Sequence, residues 1–531
     1  MTKIITATIV GLLIASLFLS SSGWAIAQDT ATPIKHVVVI FQENNSYDHY
    51  FGTYPNALNP PGEPVFTPFP NTPHANGYTP ALLSHNPNLY NPYRLDRTQE
   101  ILCDEDNSYT AEQIAYDGGL ADKFVQETGS GEIDNDKPFG GADDANQINC
   151  ATTGTNGNQT MGYYDGNSVT GLWNMAQHFA MSDNTYGTEF GSTLLGHINL
   201  ISGDTSGVSE DAVGGGSLIA NIDAVGDDCG KPAVTSLTGK NLGDALNDKG
   251  ITWGWFSAGF KPTTPYNPVT GAPAKCSATT KRTATDNASS TAYGAHYDPF
   301  MYYASTANPH HLPPATEAEI GNNGQANHQY DLSNFWVAVD NNNLPSVTFL
   351  KAPKSETGHP NDSSVLDEQV FLANVTNTIA KSPYWTNTAV FITYDDSDGW
   401  YDHQMPPIVN HSNDPVNDFA ATCGGDHVGL GGADDRCGHG PRLPLLVISP
   451  YAKSNFISHH ESDQTSIMKF ILDNWHVDFD DNKSFVNIAG SLDDMFDFGN
   501  HGGNNPAICI DYKTGEVDPM SSCPNVELSG Y

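Results

Sequence analysis

The first group of residues that could carry chemistry follows an apolar run near the start of the chain. Residues 37–41 are apolar and mostly β-branched, and Glu43 and Asn44 follow after one further residue. A carboxylate beside an amide supplies the hard oxygen ligands that Mg²⁺, Mn²⁺, Ca²⁺ or Zn²⁺ accept. The alternative is structural, with Asn44 or Ser46 capping the N-terminus of a short helix. Composition alone leaves both interpretations open.

A second group, which is acidic, follows a later apolar run. Asp395 and Asp396 come directly after residues 389–394. Neighbouring carboxylates repel each other, and a bound cation is the usual reason to hold them together at the end of a strand. The alternative is a solvated acidic turn, which is common in so acidic a chain. The segment is not an EF-hand loop, because that motif requires a final Glu at a spacing that is absent here.

The elements that must position these groups are predicted from the pattern of apolar runs. Runs with the length and the β-branched content of buried strands occur at residues 37–41, 347–350, 389–394 and 443–448. Helix-like stretches lie at residues 110–125, 169–179, 242–249, 368–381 and 464–474. This alternation predicts an α/β fold with a doubly wound, mostly parallel central sheet. Ligands of such sheets bind beyond the carboxyl ends of the strands, where both polar groups are expected.

The composition limits the function and the domain organisation. The chain has 531 residues, of which 38% are hydrophobic, so it can bury a large core. Its 22 Lys and Arg against 61 Asp and Glu give a net charge of −39, which excludes nucleic-acid binding through a basic surface. Residues 129–157 and 203–230 are rich in Gly, Asn and Asp and are predicted to be loop insertions. We expect one domain, residues 28–531.

The N-terminus has the pattern of a signal peptide. Lys3 precedes a largely apolar stretch at residues 4–19, and an Ala25-Ile26-Ala27 sequence follows. Cleavage is predicted after Ala27. The alternative is an uncleaved membrane anchor, but the apolar stretch is shorter than the roughly 20 residues of a spanning helix. We therefore expect a secreted or periplasmic protein.

The cysteines support export. They number eight, an even count that favours disulfides in an exported chain. Zinc binding is the alternative, but no two cysteines have a short ligand spacing. Neighbour pairing along the chain is expected, which gives the pairs Cys103–Cys150, Cys229–Cys276, Cys423–Cys437 and Cys509–Cys523.

Together these segments resemble the phosphoesterase family of secreted acid phosphatases and phospholipases C, within the alkaline phosphatase-like superfamily. Residues 43–52 (ENNSYDHYFG) are similar to the family pattern E-N-x-S-[FY]-D-x-x-F-G. Residues 394–403 (YDDSDGWYDH) are similar to Y-D-E-x-G-G-x-x-D-H, with Asp396 in place of Glu, and residues 440–444 (GPRLP) to G-x-R-V-P. The resemblance extends over about residues 33–498. It implies an alkaline phosphatase-like fold and a divalent metal, its identity unknown, held by Glu43, Asn44, Asp395 and Asp396.

The resemblance also implies a nucleophilic hydroxyl in residues 190–200 (FGSTLLGHINL). Thr193 is the predicted nucleophile and Ser192 the second choice, while helix capping is the structural alternative. A hydroxyl is a poor nucleophile at neutral pH unless a base or a metal activates it. The family sequence P-N-R is replaced here by Leu195-Gly196-His197, so a substrate contact through its Arg is in doubt.

Histidines that contact the phosphoryl group are implied at two further positions. His359 and His296 resemble such family histidines, although a loop histidine in a chain with 19 of them is more often structural. Residues 103–109 (CDEDNSY) resemble a segment that often carries His where this chain has Asn107. Because Asn cannot act as a general acid, protonation of the leaving group is expected to depend on another His or on water.

The sequence therefore predicts an exported, metal-dependent phosphoric ester hydrolase that forms a phosphothreonine intermediate at Thr193. The expected substrate is a phosphomonoester or a phospholipid. No amphipathic basic segment is present, so at most transient contact with a membrane surface is expected. The alternative from another class is a catalytically silent phosphate- or metal-binding protein that has lost its acid at Asn107.

Overall fold

The computed structural model describes residues 29–99, 101–129, 158–208, 216–425, 429–499 and 505–524. The predicted signal peptide, residues 1–27, lies outside the described residues, as do Cys150 and nearly all of the predicted insertion at residues 129–157. Predictions that fall on these segments stay predictions.

The strands of the described residues are mostly short and buried. They are β1 (His36–Gln42), β2 (Tyr93–Arg94), β3 (Gly162–Tyr163), β4 (Ala180–Ser182), β5 (Thr185–Tyr186), β6 (Trp253–Ser257), β7 (Thr279–Lys281), β8 (Ser289–Thr291), β9 (Gln329–Asp331), β10 (Val347–Lys351), β11 (Thr388–Tyr394), β12 (Leu445–Ile448), β13 (Phe456–Ser458), β14 (Ser462–Asp463), β15 (Cys509–Ile510) and β16 (Val517–Asp518).

Eight of these strands form one central sheet, in the order β13-β4-β12-β11-β1-β10-β6-β9. Strand β1 runs parallel to both β10 and β11, which lie on opposite sides of it. The pairs β10–β6, β6–β9 and β13–β4 are also parallel. Strand β12 alone runs antiparallel to its neighbours, β11 and β4. The predicted doubly wound, mostly parallel α/β sheet is confirmed.

The centre of this sheet explains the continuous apolar runs of the sequence. Residues 37–41 of β1 have no exposed surface, and every residue of β11 is buried. A strand with parallel neighbours on both sides and other layers above and below it buries alternate side chains on both faces. The predicted run at residues 443–448 forms a shorter strand, which begins after Pro444, a residue that cannot donate a backbone hydrogen bond.

The helices are likewise short, apart from one. They are α1 (Tyr47–Phe51), α2 (Pro80–Ser84), α3 (Tyr109–Tyr116), α4 (Phe124–Glu127), α5 (Thr170–His178), α6 (Thr193–Ile201), α7 (Leu242–Lys249), α8 (Ser333–Asp340), α9 (Val365–Lys381) and α10 (Gln464–Trp475). Helix α9 crosses from β10 to β11, which is the connection that two parallel strands require. In the described part of the chain, none of the helices combines the length and the apolar character of a membrane span.

The predicted helix at residues 110–125 was wrong in its length. The structure has two helices there, α3 and α4, because Asp117, Gly118 and Gly119 have φ angles of 41°, 61° and 103°. Left-handed backbone cannot continue a right-handed helix. Helix α9 starts before its predicted first residue because Ser364 caps it, its hydroxyl accepting a hydrogen bond from the backbone N–H of Asp367 at 3.1 Å.

Part of one predicted insertion lies within the described residues. Residues 203–208 and 216–230 are held by isolated bridges, such as Ser206 with Ser217 and Ala224 with Thr235, and not by regular strands. This is the irregular structure expected of an insertion rich in Gly and Asp. The organisation as a single domain, residues 28–531, stays a prediction.

Three of the predicted disulfides are present: Cys229–Cys276, Cys423–Cys437 and Cys509–Cys523. Cys103 is also disulfide-bonded, and its predicted partner, Cys150, lies outside the described residues.

Non-reducing peptide mapping of the purified native protein tests the complete pairing. We expect four cross-linked peptide pairs, including Cys103 with Cys150, and no thiol that reacts with an alkylating reagent after denaturation. Neighbour pairs are expected because each closes a local loop. A free thiol, or a cross-linked peptide that joins Cys150 to Cys229, would contradict the prediction.

Candidate active site

The site begins where two neighbouring strands end together. Strands β1 and β11 are parallel, and Gln42 lies opposite Tyr394 in their register. The backbone N–H of Asp395 donates to the carbonyl of Gln42 at 3.1 Å, and that of Asn45 donates to the carbonyl of Asp396 at 2.9 Å. The two polar groups found in the sequence therefore emerge at the same edge of the sheet.

Asn44 has a conformation that turns it into this edge. Its φ is 58°, a left-handed value that Asn adopts more readily than most residues. Its backbone N–H donates to Asp395 Oδ1 at 3.0 Å, and its side-chain amide donates to Asp398 Oδ1 at 2.8 Å. The capping alternative applies to Ser46 instead, whose hydroxyl accepts from the N–H of His49 at the start of α1.

Three buried oxygens in this cluster lack a hydrogen-bond partner: Glu43 Oε2, Asn44 Oδ1 and Asp395 Oδ2. All three residues are at most 2% exposed. A buried polar atom without a partner is costly, so three such oxygens close together indicate a site for an ion, a ligand or ordered water. Two carboxylates and an amide form the oxygen donor set that suits a hard divalent cation, and the residues present fit the predicted metal.

Lys351 provides the positive charge closest to Glu43. It ends β10, its side chain is fully buried, and its ammonium group forms an ion pair with Glu43 Oε1. Burial disfavours the ionised carboxylate, but the charge of Lys351 outweighs this effect, and the pKa of Glu43 falls to about 2. Glu43 is therefore ionised at any physiological pH, with Oε1 occupied by Lys351 and Oε2 available.

The aspartates respond in the opposite direction. Burial, followed by the charge of Glu43, raises the pKa of Asp395 well above its ordinary value. Burial likewise raises the pKa of Asp396 to about 7. Three adjacent carboxyl groups thus resist simultaneous ionisation in the protein alone. A divalent cation would reverse this balance, because it stabilises all three as carboxylates.

Thr193 lies against this cluster. It is the first residue of α6, after Gly191, whose φ is 114°, and Ser192, which is extended. The hydroxyl of Thr193 donates to Asp396 Oδ2 at 3.3 Å, whereas Ser192 makes no side-chain capping contact with the helix. The N-terminus of a helix carries partial positive charge and favours anions such as phosphate. The geometry favours Thr193 over Ser192 as the predicted nucleophile.

Asn107 and His359 lie near the carboxyl groups of Asp396 and Asp398, respectively. The amide of Asn107 donates to Asp396 Oδ1 at 3.0 Å. A ring nitrogen of His359 lies within 4.8 Å of carboxylate oxygens of Asp104 and Asp398. Burial lowers the pKa of His359, but the nearby negative charges, first that of Asp104, outweigh it and raise the pKa above its ordinary value.

The contacts of His296 connect it to the acidic cluster only indirectly. Its Nδ1 is 3.7 Å from Asp223 Oδ1, and its ring packs edge-on against Tyr297 at 4.8 Å. Tyr297 in turn stacks on His197 and lies 4.5 Å from the ammonium group of Lys351. The described contacts therefore join His296 to the cluster through the ring of Tyr297.

The structure brings two residues into the site that the sequence analysis missed as functional candidates, His197 and Lys351. His197 is fully buried, its Nδ1 donates to the carbonyl of Thr193 at 2.8 Å, and it lies 3.6 Å from Asp395 Oδ2. Burial, followed by the charge of Lys351, lowers the pKa of His197 well below its ordinary value. Its position four residues after Thr193, on the same helical face, could have indicated it. Lys351 was visible only as the charged end of an apolar run.

Polar residues of the segments 43–52, 394–403 and 440–444 form a separate cluster outside the site. Arg442 is fully buried and contacts Asp48 at 3.0 Å and Asp402 at 3.1 Å. His403 Nδ1 lies 2.5 Å from Asp48, and the guanidinium of Arg442 lies 4.3 Å from the ring centre of Tyr47. This network ties the segments that follow β1 and β11 to the start of β12. The segments 43–52 and 394–403 therefore supply both candidate site residues and residues that hold them in place.

Replacing the proposed ligands should release the metal. We expect Glu43→Gln and Asp395→Asn to lose bound divalent metal, because each substitution removes a negative charge from a buried oxygen donor set. Elemental analysis after dialysis measures the metal content of each purified variant.

Glu368→Gln is the matched control. Glu368 is a buried carboxyl near the same strand ends, but its oxygens already accept hydrogen bonds from Tyr50 and Tyr394, at 2.7 and 2.6 Å. We expect this variant to keep its metal. Full metal occupancy in Glu43→Gln and Asp395→Asn would remove both residues as ligands.

Comparisons with known proteins show the family of the chain. The model of the Phosphoesterase family matches residues 34–478. Non-hemolytic phospholipase C of Burkholderia pseudomallei is 24% identical over 465 residues, which cover 83% of this chain and 55% of that protein. Phospholipase C B of Mycobacterium tuberculosis is 24% identical over 451 residues, which cover 83% of this chain and 73% of that protein.

A solved structure, described as a protein in the alkaline phosphatase superfamily from Vibrio parahaemolyticus, aligns with a TM-score of 0.30 and 10% identity, covering 66% of this chain and 75% of its own. The chain spans about half the length of the Burkholderia relative. The family match covers most of the sequence and includes both motifs that supply the candidate ligands. The chain therefore belongs to the Phosphoesterase family.

Proposed function

We propose that the protein is an exported, metal-dependent phosphoric ester hydrolase of the acid phosphatase or phospholipase C type that acts through a phosphothreonine intermediate. One observation carries the proposal: the hydroxyl of Thr193 contacts Asp396 beside three buried oxygen atoms that have no partner. A nucleophile, a carboxyl group that accepts its hydrogen bond and an oxygen donor set suited to a divalent cation are the parts that this kind of phosphoryl transfer requires. Family membership and relatives named phospholipase C support the same reaction class.

Glu43, Asn44, Asp395 and Asp396 are the residues that would hold the metal. When bound, a divalent cation stabilises negative charge on a phosphoryl oxygen and lowers the pKa of a neighbouring hydroxyl. Lys351 keeps Glu43 ionised and holds one of its oxygens, so that the other is directed to the site. In a chain with a net charge of −39, an anionic substrate needs such local positive charge.

The residues of the chain then divide the reaction into two steps. Thr193 Oγ attacks phosphorus, the bond from phosphorus to the leaving oxygen breaks, and the hydroxyl proton of Thr193 has Asp396 Oδ2 as its acceptor. Water next hydrolyses the phosphothreonine and restores the hydroxyl. The partial positive charge at the N-terminus of α6 favours the phosphoryl group in both steps.

His359 and His296 are the proposed contacts to the phosphoryl oxygens. The raised pKa of His359 keeps a proton available for donation. The side chain of His296 is 20% exposed, so part of its ring is accessible to a ligand. Neither histidine belongs to the group that would hold the metal.

The described disulfides support export, because such bonds persist in oxidising compartments. Substrates of the proposed site are phosphomonoesters or phospholipids. A phospholipid substrate is supported only by the relatives named phospholipase C.

A second candidate is a catalytically silent phosphate- or metal-binding protein on the same fold. Asn107 favours it, since this side chain contacts Asp396 at the site and cannot donate a proton to a leaving group as an acid does. A phosphomonoesterase assay with and without a chelator separates the candidates. Chelator-sensitive turnover supports the hydrolase, and binding of inorganic phosphate without turnover supports the silent protein.

Thr193→Ala should abolish turnover and leave the fold and the metal content nearly intact, because it removes the attacking oxygen and leaves the four proposed metal ligands in place. The activity is measured with 4-nitrophenyl phosphate, together with the metal content and the melting temperature. Ser192→Ala is the matched control and should retain most of the activity. Wild-type activity in Thr193→Ala would overturn the assignment of the nucleophile.

Asn107→His tests the missing acid. Without an acid, charge accumulates on the departing oxygen, so the rate should depend strongly on the leaving group. The new imidazole should accelerate hydrolysis of an alkyl phosphoester about 10²-fold more than that of an aryl one. This factor is the lower end of the range for general acid catalysis. The measurement is kcat/KM for one substrate of each type in both proteins. An unchanged ratio would mean that a histidine already present, or water, supplies the proton.

A further inference from the structure

One buried acid near the site has no part in the reaction described above. Glu112 lies in α3, the helix that follows Asn107, and is 1% exposed. Burial raises the pKa of this carboxyl well above its ordinary value, and the nearby charge of Asp396 adds to the effect. A buried acid is destabilising unless its contacts compensate for the lost solvation, so its partners are informative.

Those partners belong to the two loops that must meet for catalysis. The backbone N–H of Gly191 donates to Glu112 Oε2 at 2.9 Å. The hydroxyl of Ser397 donates to Glu112 Oε1 at 2.6 Å. Gly191 comes two residues before Thr193, and Ser397 comes directly after Asp396. A single carboxyl group therefore connects the turn that carries the nucleophile to the loop that carries its acceptor.

The nucleophile turn needs such an external contact. Gly191 has a φ of 114°, and a Cβ there would lie 3.0 Å from a side-chain atom of Leu195. Glycine is required at this position, but glycine also has the greatest backbone freedom of any residue. The hydrogen bond that the Gly191 N–H donates to Glu112 fixes the direction of this N–H. On the other loop, Ser397 Oγ also accepts from the N–H of Gly399 at 3.0 Å, so the connection reaches into the acidic turn.

We propose that Glu112 is a positioning residue, which holds Thr193 at its working distance from Asp396 by bridging Gly191 and Ser397. The inference rests on the proposed function. In-line attack requires the reacting atoms to be about 3–3.5 Å apart, and a displacement of 1 Å can cost about 10²-fold in rate. Losing the bridge should therefore lower the rate of chemistry, with a small effect on the binding of substrate or metal.

The test compares Glu112→Ala, Glu112→Gln and Glu112→Asp in the metal-loaded, exported protein with 4-nitrophenyl phosphate as the substrate. We expect kcat of Glu112→Ala to fall about 10²-fold, with KM and metal content within about twofold of the wild type. Glu112→Gln should recover most of kcat, because its amide offers an acceptor to Gly191 and a donor to Ser397. Glu112→Asp has the same chemistry but a shorter reach, and it should lose kcat as the alanine variant does.

Gln113→Ala is the control for damage to the helix. Gln113 is the next residue, is fully buried, and accepts a hydrogen bond from the backbone N–H of Phe419 at 2.7 Å, a contact outside the site. We expect it to lower the melting temperature without changing kcat. Equal losses of kcat in Gln113→Ala and Glu112→Ala would reduce Glu112 to a structural residue.

The outcomes also separate this inference from the proposed function. If Glu112→Ala and Glu112→Asp keep kcat within about threefold of the wild type while Thr193→Ala is inactive, the bridging role is wrong and the hydrolase stands. If Glu112→Ala does not fold, Glu112→Asp and Glu112→Gln decide by the same criteria. If Thr193→Ala keeps wild-type activity, the proposed mechanism itself fails.

Discussion

The register between β1 and β11 is the constraint on which the rest of the site depends. These strands are parallel and end opposite each other, so the backbone places Glu43 beside Asp395. This arrangement is kept although the two carboxylates repel each other when both are ionised. Both carboxyl groups are buried, where their mutual repulsion is far stronger than it would be in water. The fold can keep this arrangement only if other groups compensate for the charge, or if a cation does.

Much of the surrounding structure supplies that compensation. Lys351 reaches Glu43 from the strand on the other side of β1, and amide donors of Asn44 and Asn107 reach Asp398 and Asp396. Three oxygens of this cluster still lack a hydrogen-bond partner, and they form the donor set that a divalent cation would accept. These oxygens lower the stability of the fold because they lack hydrogen-bond partners, but they are also the groups that would bind a metal.

Two buried side chains, those of Arg442 and Glu112, hold the loops that carry these carboxyl groups. Arg442 joins Asp48 and Asp402, and removing one partner of a buried ion pair typically costs about 3–5 kcal/mol. Glu112 joins the Gly191 turn to the acidic loop through two hydrogen bonds. The two groups of contacts hold separate parts of these loops, which allows the candidate catalytic groups on irregular backbone to keep a defined geometry.

The sequence by itself determined the sheet class and the neighbour pairing of the described disulfides, because buried apolar runs and the order of the cysteines can be read along the chain. It also placed the candidate ligands at the ends of two such runs, and the family resemblance implied their role. The end of α3 was missed, since consecutive left-handed residues at 117–119 outweighed its helical pattern. Only the tertiary structure brought Lys351, His197 and Glu112 to the site. Each acts on residues of another element, such as Lys351 on Glu43, and such pairings depend on which strands become neighbours, which no local spacing encodes.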